Sequence, residues 1–155
     1  MEIRLAASKD IPGLVELLRQ VGRVHHNIRP DIFCPTCQKY DEAALSELLT
    51  DENRPVFVAM EGDFVAGYCF CMVRQFDDPA VSTVHKEIYI DDLCVDQSRR
   101  GQGIAKALYH HTLDYARGLG CGFVTLNVWC GNDGAMAFYN KMGMAPRSIT
   151  METKL

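Results

Sequence analysis

The residues of this 155-residue chain that are equipped for chemistry gather in one stretch, EIYIDDLCVDQSRRGQGIA, running from Glu87 to Ala105. An alternating, β-branched run leads into the carboxylates Asp91 and Asp92, and a Gly101-Gln102-Gly103 turn then opens into an amphipathic helix. A strand, a glycine turn and a helix start together make an anion site. The N–H groups of a first helical turn have no internal partner, and glycines without Cβ atoms let a phosphate come within hydrogen-bond range. Arg100 adds a fixed positive charge beside them. The nucleotide fingerprints fit less well, since GQGIAK lacks the third glycine of a dinucleotide site and no G-x-x-x-x-G-K-[ST] occurs in the chain. A pyrophosphate on a different cofactor is the better reading. A second set, Cys34-Pro35-Thr36-Cys37 with His25 and His26 nearby, has half the spacing of a zinc site. It lacks a second Cys-x-x-Cys pair, and the expectation is reduced loop thiols with no metal.

The elements that must position these residues can be read from the apolar pattern. Residues 2–6 alternate as a strand. Ser8 reads as the cap of a helix with Ile11, Leu14, Leu18 and Val21 on one face and an end near Gly22. Residues 23–39 are irregular, broken by Pro30 and Pro35, before Ala44, Leu45, Leu48 and Leu49 mark a second, short helix. A connection of that length in a compact domain is usually functional or mobile. Residues 55–60 and 64–76 read as a hairpin about Glu61-Gly62-Asp63, and residues 84–95 as a strand antiparallel to its second arm. Ile104, Leu108, Tyr115 and Leu119 form a helical stripe ended by Gly118 and Gly120, and residues 123–129 are a new strand. Strand, helix and strand make a crossover to a parallel neighbour. Gly131-Asn132 opens a last helix closed by Gly143, and residues 146–155 read as a final strand. The order gives an α/β fold: a mixed, mostly antiparallel sheet with helices on both faces.

Length and composition bound the function. The chain reads as one domain, residues 1–155, large enough to bury about 68–70% of the surface its unfolded form exposes. The start, MEIRLAASKD, is charged from its second residue, and nowhere do eighteen apolar residues run together. A soluble, cytoplasmic protein with no membrane partner is expected. Seven cysteines, an odd set with Cys69, Cys71 and Cys94 in apolar strands, suit thiols in a reducing compartment. A formal net charge of -4 argues against a nucleic-acid partner and would suit a cationic substrate.

Arg100-Gly101-Gln102-Gly103-Ile104-Ala105 follows the IDDLCV strand, and Asn132-x-x-Ala135-x-x-Phe138-Tyr139 comes about thirty residues later. In that order they resemble the R/Q-x-x-G-x-G/A signature and the second motif of the GNAT superfamily, the acyl-CoA-dependent N-acyltransferases. The resemblance covers nearly the whole chain and is sharpest from Glu87 to Gly143. It implies that the two parallel strands splay apart around the coenzyme, that acetyl-CoA is the cosubstrate with no metal, and that the first two helices and their connection border the acceptor. The coenzyme would be held by Leu93, Cys94 and Val95, by the turn Arg100, Gly101, Gln102, Gly103, Ile104, Ala105 and Lys106, and by Asn132, which is also a good helix cap by type.

By the same resemblance, the backbone N–H of Leu93 bonds the thioester oxygen, and Tyr139 protonates the departing thiolate. A free phenol is protonated at pH 7 and able to do so. An acceptor ammonium must lose a proton before attack, and Glu87, Asp91 and Asp92 are the carboxylates on hand. Asp91 is the catalytic choice: Tyr89-Ile90-Asp91-Asp92-Leu93 resembles the Tyr-Leu-Glu-Asp strand of polyamine acetyltransferases, with Asp one methylene shorter than Glu. The implied activity is N-acetylation of a primary amine of a small molecule by direct transfer. A protein or peptide amine as acceptor, and a non-catalytic acyl-CoA sensor, are the alternatives; a homodimer is left open.

Overall fold

The computed structural model describes residues 1–36 and 38–155. Strands β1 (Glu2–Leu5), β2 (Val56–Glu61), β3 (Phe64–Phe76), β4 (His85–Val95) and β5 (Phe123–Leu126) form one sheet in sequence order. Helices α1 (Ile11–Ile28), α2 (Glu42–Leu48), α3 (Ile104–Gly118) and α4 (Asp133–Lys141) cover it. The first four strands pair antiparallel, while β4 and β5 pair parallel through the α3 crossover that the glycine-flanked stripe predicts.

Strand alternation divides the core between the two faces. Val56, Val58, Tyr68 and Phe70 point to α1 and α2, where Leu14, Leu17, Leu18, Leu45 and Leu48 close one cluster. Phe57, Ala59, Cys69, Cys71, Ile88 and Ile90 point the other way, to Ile104, Leu108 and Tyr109 of α3, with Phe138 and Tyr139 of α4 at the margin. Gly67 of β3 marks the tightest point. A Cβ there would lie 2.9 Å from the Cys94 carbonyl oxygen and 3.2 Å from side-chain atoms of both Ile104 and Leu108. Only glycine lets α3 press its first turns onto β3 and the end of β4, and that contact aims the helix start.

Three boundaries differ from the pattern reading. Helix α1 follows a short helical turn at Ser8–Asp10 and runs through Gly22 to Ile28. A mid-helix glycine costs about 1 kcal/mol, which the buried Leu14, Leu17 and Leu18 upstream outweigh. The connection to α2 is therefore residues 29–41. Strand β5 stops at Leu126 instead of residue 129. Residues 146–155 form no strand. Pro146 has no N–H to give a ladder, and the tail is tied down by side chains, Arg147 to Glu87 at 2.7 Å and Arg29 to Glu152 at 2.6 Å. Among the described residues no helix is long and apolar enough to cross a membrane.

Candidate active site

Two irregularities meet in the middle of β4. Its ladder with β3 passes from Phe70↔Asp92 to Cys71↔Ile90, so Asp91 is the extra residue of a bulge. Its parallel ladder with β5 ends at Ile90↔Leu126, although β4 itself continues to Val95. Past Leu126 the chain leaves the sheet, and Trp129 packs edge-on against Phe33 of the α1–α2 connection at 5.1 Å. The parallel strands thus part at the bulge. Asp96 N–H donates to Ala66 O on the β3 side at 2.9 Å. Since main-chain groups alternate sides along a strand, those of Leu93 and Val95 face the gap instead. Arg100 Nε uses one of them, donating to Val95 O at 3.3 Å.

The bulge also decides where the acids go. Ile90 and Leu93 belong to the α3 side and Cys94 to the α1 side, so the extra residue lets both Asp91 and Asp92 fall on the α1–α2 side. Asp92 accepts a hydrogen bond from the fully buried Tyr68 hydroxyl at 2.8 Å. Burial pushes the Asp92 carboxyl above the ordinary range, and the Tyr68 hydrogen bond and the charges of Lys39 and His25 oppose this without cancelling it. Asp91 accepts from Lys39 Nζ at 2.7 Å and from the Tyr40 hydroxyl at 3.3 Å. Glu87 is elsewhere. It lies within the β4–β5 ladder opposite Phe123, its side chain only 3% exposed, accepting from Arg147 Nη1 at 2.7 Å and Thr125 Oγ1 at 3.1 Å. It anchors the tail and does not face the gap.

The glycine turn lies just beyond the free end of β4. Gly101 and Gly103 hold left-handed backbone at φ 77° and 82°, and a Cβ on either would meet no atom within 4 Å. The backbone itself demands glycine, and the space above the turn is open. The first intrahelical bond of α3 is Ala107 N–H to Gly103 O, which leaves the N–H groups of Ile104, Ala105 and Lys106 outside the ladder and at the positive end of the helix dipole. This arrangement fits a pyrophosphate. The segment leading to the turn is fixed to α1 by two residues that the sequence pattern does not single out. Gln20 Nε2 donates to Asp96 Oδ2 at 2.8 Å, Gln20 Oε1 accepts from Gln97 N–H at 3.1 Å, and Asp96 Oδ1 accepts from Ser98 N–H at 2.9 Å. The Ser98 and Gln20 hydrogen bonds hold the Asp96 carboxyl below its ordinary range. The Asp-x-Ser spacing is the sign that marks Asp96 as a local turn residue; nothing in the sequence marks Gln20.

Of the three strand-end residues, Cys94 turns its side chain away from the gap. Its Sγ lies 3.7 Å from Leu17 O of α1, and burial pushes the thiol up to about 12. Asn132 caps α4, its Oδ1 accepting from Ala135 N–H at 3.2 Å. One face of that helix carries Tyr139, edge-on to Phe138 at 5.0 Å and to Tyr109 at 6.2 Å. Burial pushes the Tyr139 phenol well up, with the Cys69 and Asp92 charges adding to it. The hydroxyl is therefore protonated at neutral pH, and the Asp92 charge reaches it.

The half zinc motif does not assemble in the described residues. His25 packs on the Phe33 ring at 5.2 Å, and His26 Nδ1 lies 2.7 Å from Phe33 O. Cys34 is disulfide-bonded instead of reduced, and Cys37 lies outside the described residues. Among the described residues no three His, Cys, Asp or Glu side chains are grouped to hold a metal. A cavity of about 450 Å³ is lined by Leu5, Arg54, Val73, Lys86, Tyr115 and neighbours. None of the gap residues borders it.

The model of the acetyltransferase (GNAT) family matches residues 23–144. The rat (Rattus norvegicus) N-acetyltransferase 8F1 is 31% identical over 126 residues, covering 79% of this chain and 55% of that protein. The peptidyl-lysine N-acetyltransferase YjaB of Salmonella typhimurium is 35% identical over 103 residues, covering 65% and 59%. The chain thus spans little more than half the length of these relatives. A crystal structure of a mutant BH1408 protein from Bacillus halodurans, 29% identical, superposes with a TM-score of 0.95 over 100% of this chain and 99% of that one.

Proposed function

Because the chain belongs to the acetyltransferase (GNAT) family, we propose that it transfers an acetyl group from acetyl-CoA to a primary amine of a small cationic molecule. The observation that supports this reading is the bulge at Asp91, where β4 and β5 part and two consecutive carboxylates turn to one side, on the strand that leads into a glycine turn suited to pyrophosphate. Bound acetyl-CoA supplies an activated acetyl thioester. The N–H groups of the turn, Gly101 to Lys106, with Arg100, hold the pyrophosphate, and the Leu93 N–H orients the thioester oxygen.

The two acids divide the work on the acceptor. Asp92, raised by burial, takes the ammonium proton, because a base nearer neutrality accepts it with less penalty than an ordinary carboxylate. Asp91, the position singled out by the polyamine-type resemblance, receives the acceptor's positive charge. Tyr139, half-buried at the margin of the α3-side core and held protonated, returns a proton to the departing sulfur. A lysine side chain of a peptide is the second reading. It is favoured by the lysine already paired with Asp91, Lys39, and by the peptidyl-lysine activity in the name of the Salmonella relative.

The test is the pH dependence of kcat/KM for a panel of primary amines. Asp92→Asn should lose on the order of 10²–10⁴ in rate. The loss should be largest at low pH, where few amines are neutral, and shrink as pH rises toward the amine's own range near 10. Asp91→Asn should instead raise KM for cationic acceptors. Parental rates for Asp92→Asn at every pH would remove Asp92 as the base, and coenzyme binding without thiol release toward any amine would favour a sensor.

A further inference from the structure

One primary amine of the chain already lies against the carboxylates at the β4 bulge. Lys39 Nζ lies 2.7 Å from Asp91 Oδ2, and its positive charge reaches Asp92 as well. Among the described residues no other lysine forms an ion pair with a carboxylate. The backbone on either side of Lys39 is pinned. Tyr40 stacks on Phe70 at 5.7 Å, its hydroxyl accepts from Arg54 Nη2 at 2.6 Å, and Asp41 caps α2 by accepting from Ala44 N–H at 2.8 Å. On the other side Gln38 Oε1 accepts from Arg19 Nε of α1 at 3.3 Å. Between these anchors the Lys39 side chain is 42% exposed, against 13% for Asp91. Its four-carbon stem can change rotamer without moving the main chain.

We propose that Lys39 is an acceptor of the enzyme's own acetyl group: its ε-amine, delivered by the pinned 38–41 segment to the β4 carboxylates, is acetylated in cis. The inference rests on the function proposed above. The ammonium gives one proton to Asp92 and through it to solvent. The neutral nitrogen forms a bond to the thioester carbonyl carbon as the carbon–sulfur bond breaks. The second proton, lost from nitrogen as the amide forms, balances the one Tyr139 gives to the sulfur. An ammonium and a thioester thus yield an amide, a thiol and one proton. The product has no charge to pair with Asp91, so one self-acetylation clears the carboxylate for an external ammonium.

The experiment incubates the full chain with acetyl-CoA and no added amine, following each lysine by peptide mass mapping. Lys39 should gain its acetyl group at least about tenfold faster than the exposed Lys9, Lys106 or Lys154, with a rate constant independent of protein concentration over a hundredfold range. Asp92→Asn should slow Lys39 at least about tenfold and leave the others unchanged. A second readout needs no coenzyme: Lys39→Met should bind Nα-acetyl-lysine methylamide about tenfold more tightly than the parent by calorimetry, because the internal competitor is gone. Lys39 reacting no faster than the exposed lysines, or unchanged affinity in Lys39→Met, overturns the inference. If added amines are acetylated while Lys39 is not, only this inference falls. If neither is acetylated, the proposed function falls with it.

Discussion

Gly103 and Gly120 stand at opposite ends of α3, both in left-handed backbone, at φ 82° and 70°, and at both a Cβ would meet no atom within 4 Å. Alanine at either position therefore costs the fold only the left-handed penalty, about 1–2 kcal/mol. For a chain of this size about 1 kcal/mol lowers Tm by about 2–4 °C, so each variant should melt roughly 2–8 °C below the parent. The two variants should part in what they do to coenzyme. Gly120 lies past the last turn, about 22 Å along a 15-residue helix from Gly103, and its methyl faces solvent. The methyl at Gly103 fills the open space above the turn, where a phosphate oxygen would meet the N–H groups of Ile104 and Ala105. Losing one hydrogen bond to a charged group costs about 1.5–3 kcal/mol, which weakens binding about ten- to hundredfold. Calorimetric titration with coenzyme A, beside thermal melts of both variants, separates the two effects. If Gly103→Ala melts like Gly120→Ala and binds coenzyme A like the parent, the turn is not the pyrophosphate site.

Tyr139→Phe keeps the ring contacts with Phe138 and Tyr109 and removes only the hydroxyl, so kcat should fall on the order of 10²–10⁴ with coenzyme affinity little changed; steady-state kinetics beside equilibrium binding reads both. Asp92→Asn should be more stable than the parent at pH 7. A folded-state pKa raised by burial means the ionised carboxylate disfavours the fold above the ordinary aspartate value of about 3.9. That advantage should close as pH falls below the raised value toward the ordinary one, which urea denaturation across pH can follow. Asp10→Ala should lose about 3 kcal/mol, because its 2% exposed carboxylate pairs with Arg4 at 2.7 Å and accepts from Ala7 N–H. The Arg4 hydrogen bond, more than any other contact, lowers the Asp10 pKa. The parent's advantage over this variant should therefore hold above pH about 4 and fade as pH drops through the lowered value.

How much of this could be read from residues alone follows from the range of each interaction. The β2–β3 hairpin about Gly62, the α3 crossover and the glycine turn carry short-range signals: period-two alternation, a helical stripe, glycines where φ is positive. The cap at Asn132 is equally local. The bulge is different, because whether Asp91 or its neighbour is the extra residue depends on the register of β4 against β3, and no property of IDDLCV fixes it. Hence the pair of acids was legible in the sequence, but the bulge that turns both to the α1–α2 side was not. Pairings across long separations were also hidden: Lys39 to Asp91, Gln20 to Asp96, and Arg147 to Glu87, which holds a tail that alternation alone reads as a strand. The extension of α1 beyond Gly22 shows packing overriding a local breaker.

The central claim, acetyl transfer from coenzyme A to a primary amine at the β4 gap, is tested most directly by measuring thiol release and N-acetylated product together. The purified chain would be given acetyl-CoA and a panel of polyamines, other small primary amines and lysine peptides. The account predicts one N-acetyl product per thiol released with at least one amine, and loss of both signals together in Tyr139→Phe and Asp92→Asn. Thiol release without acetylated amine, or transfer at the parental rate in both variants, would contradict it.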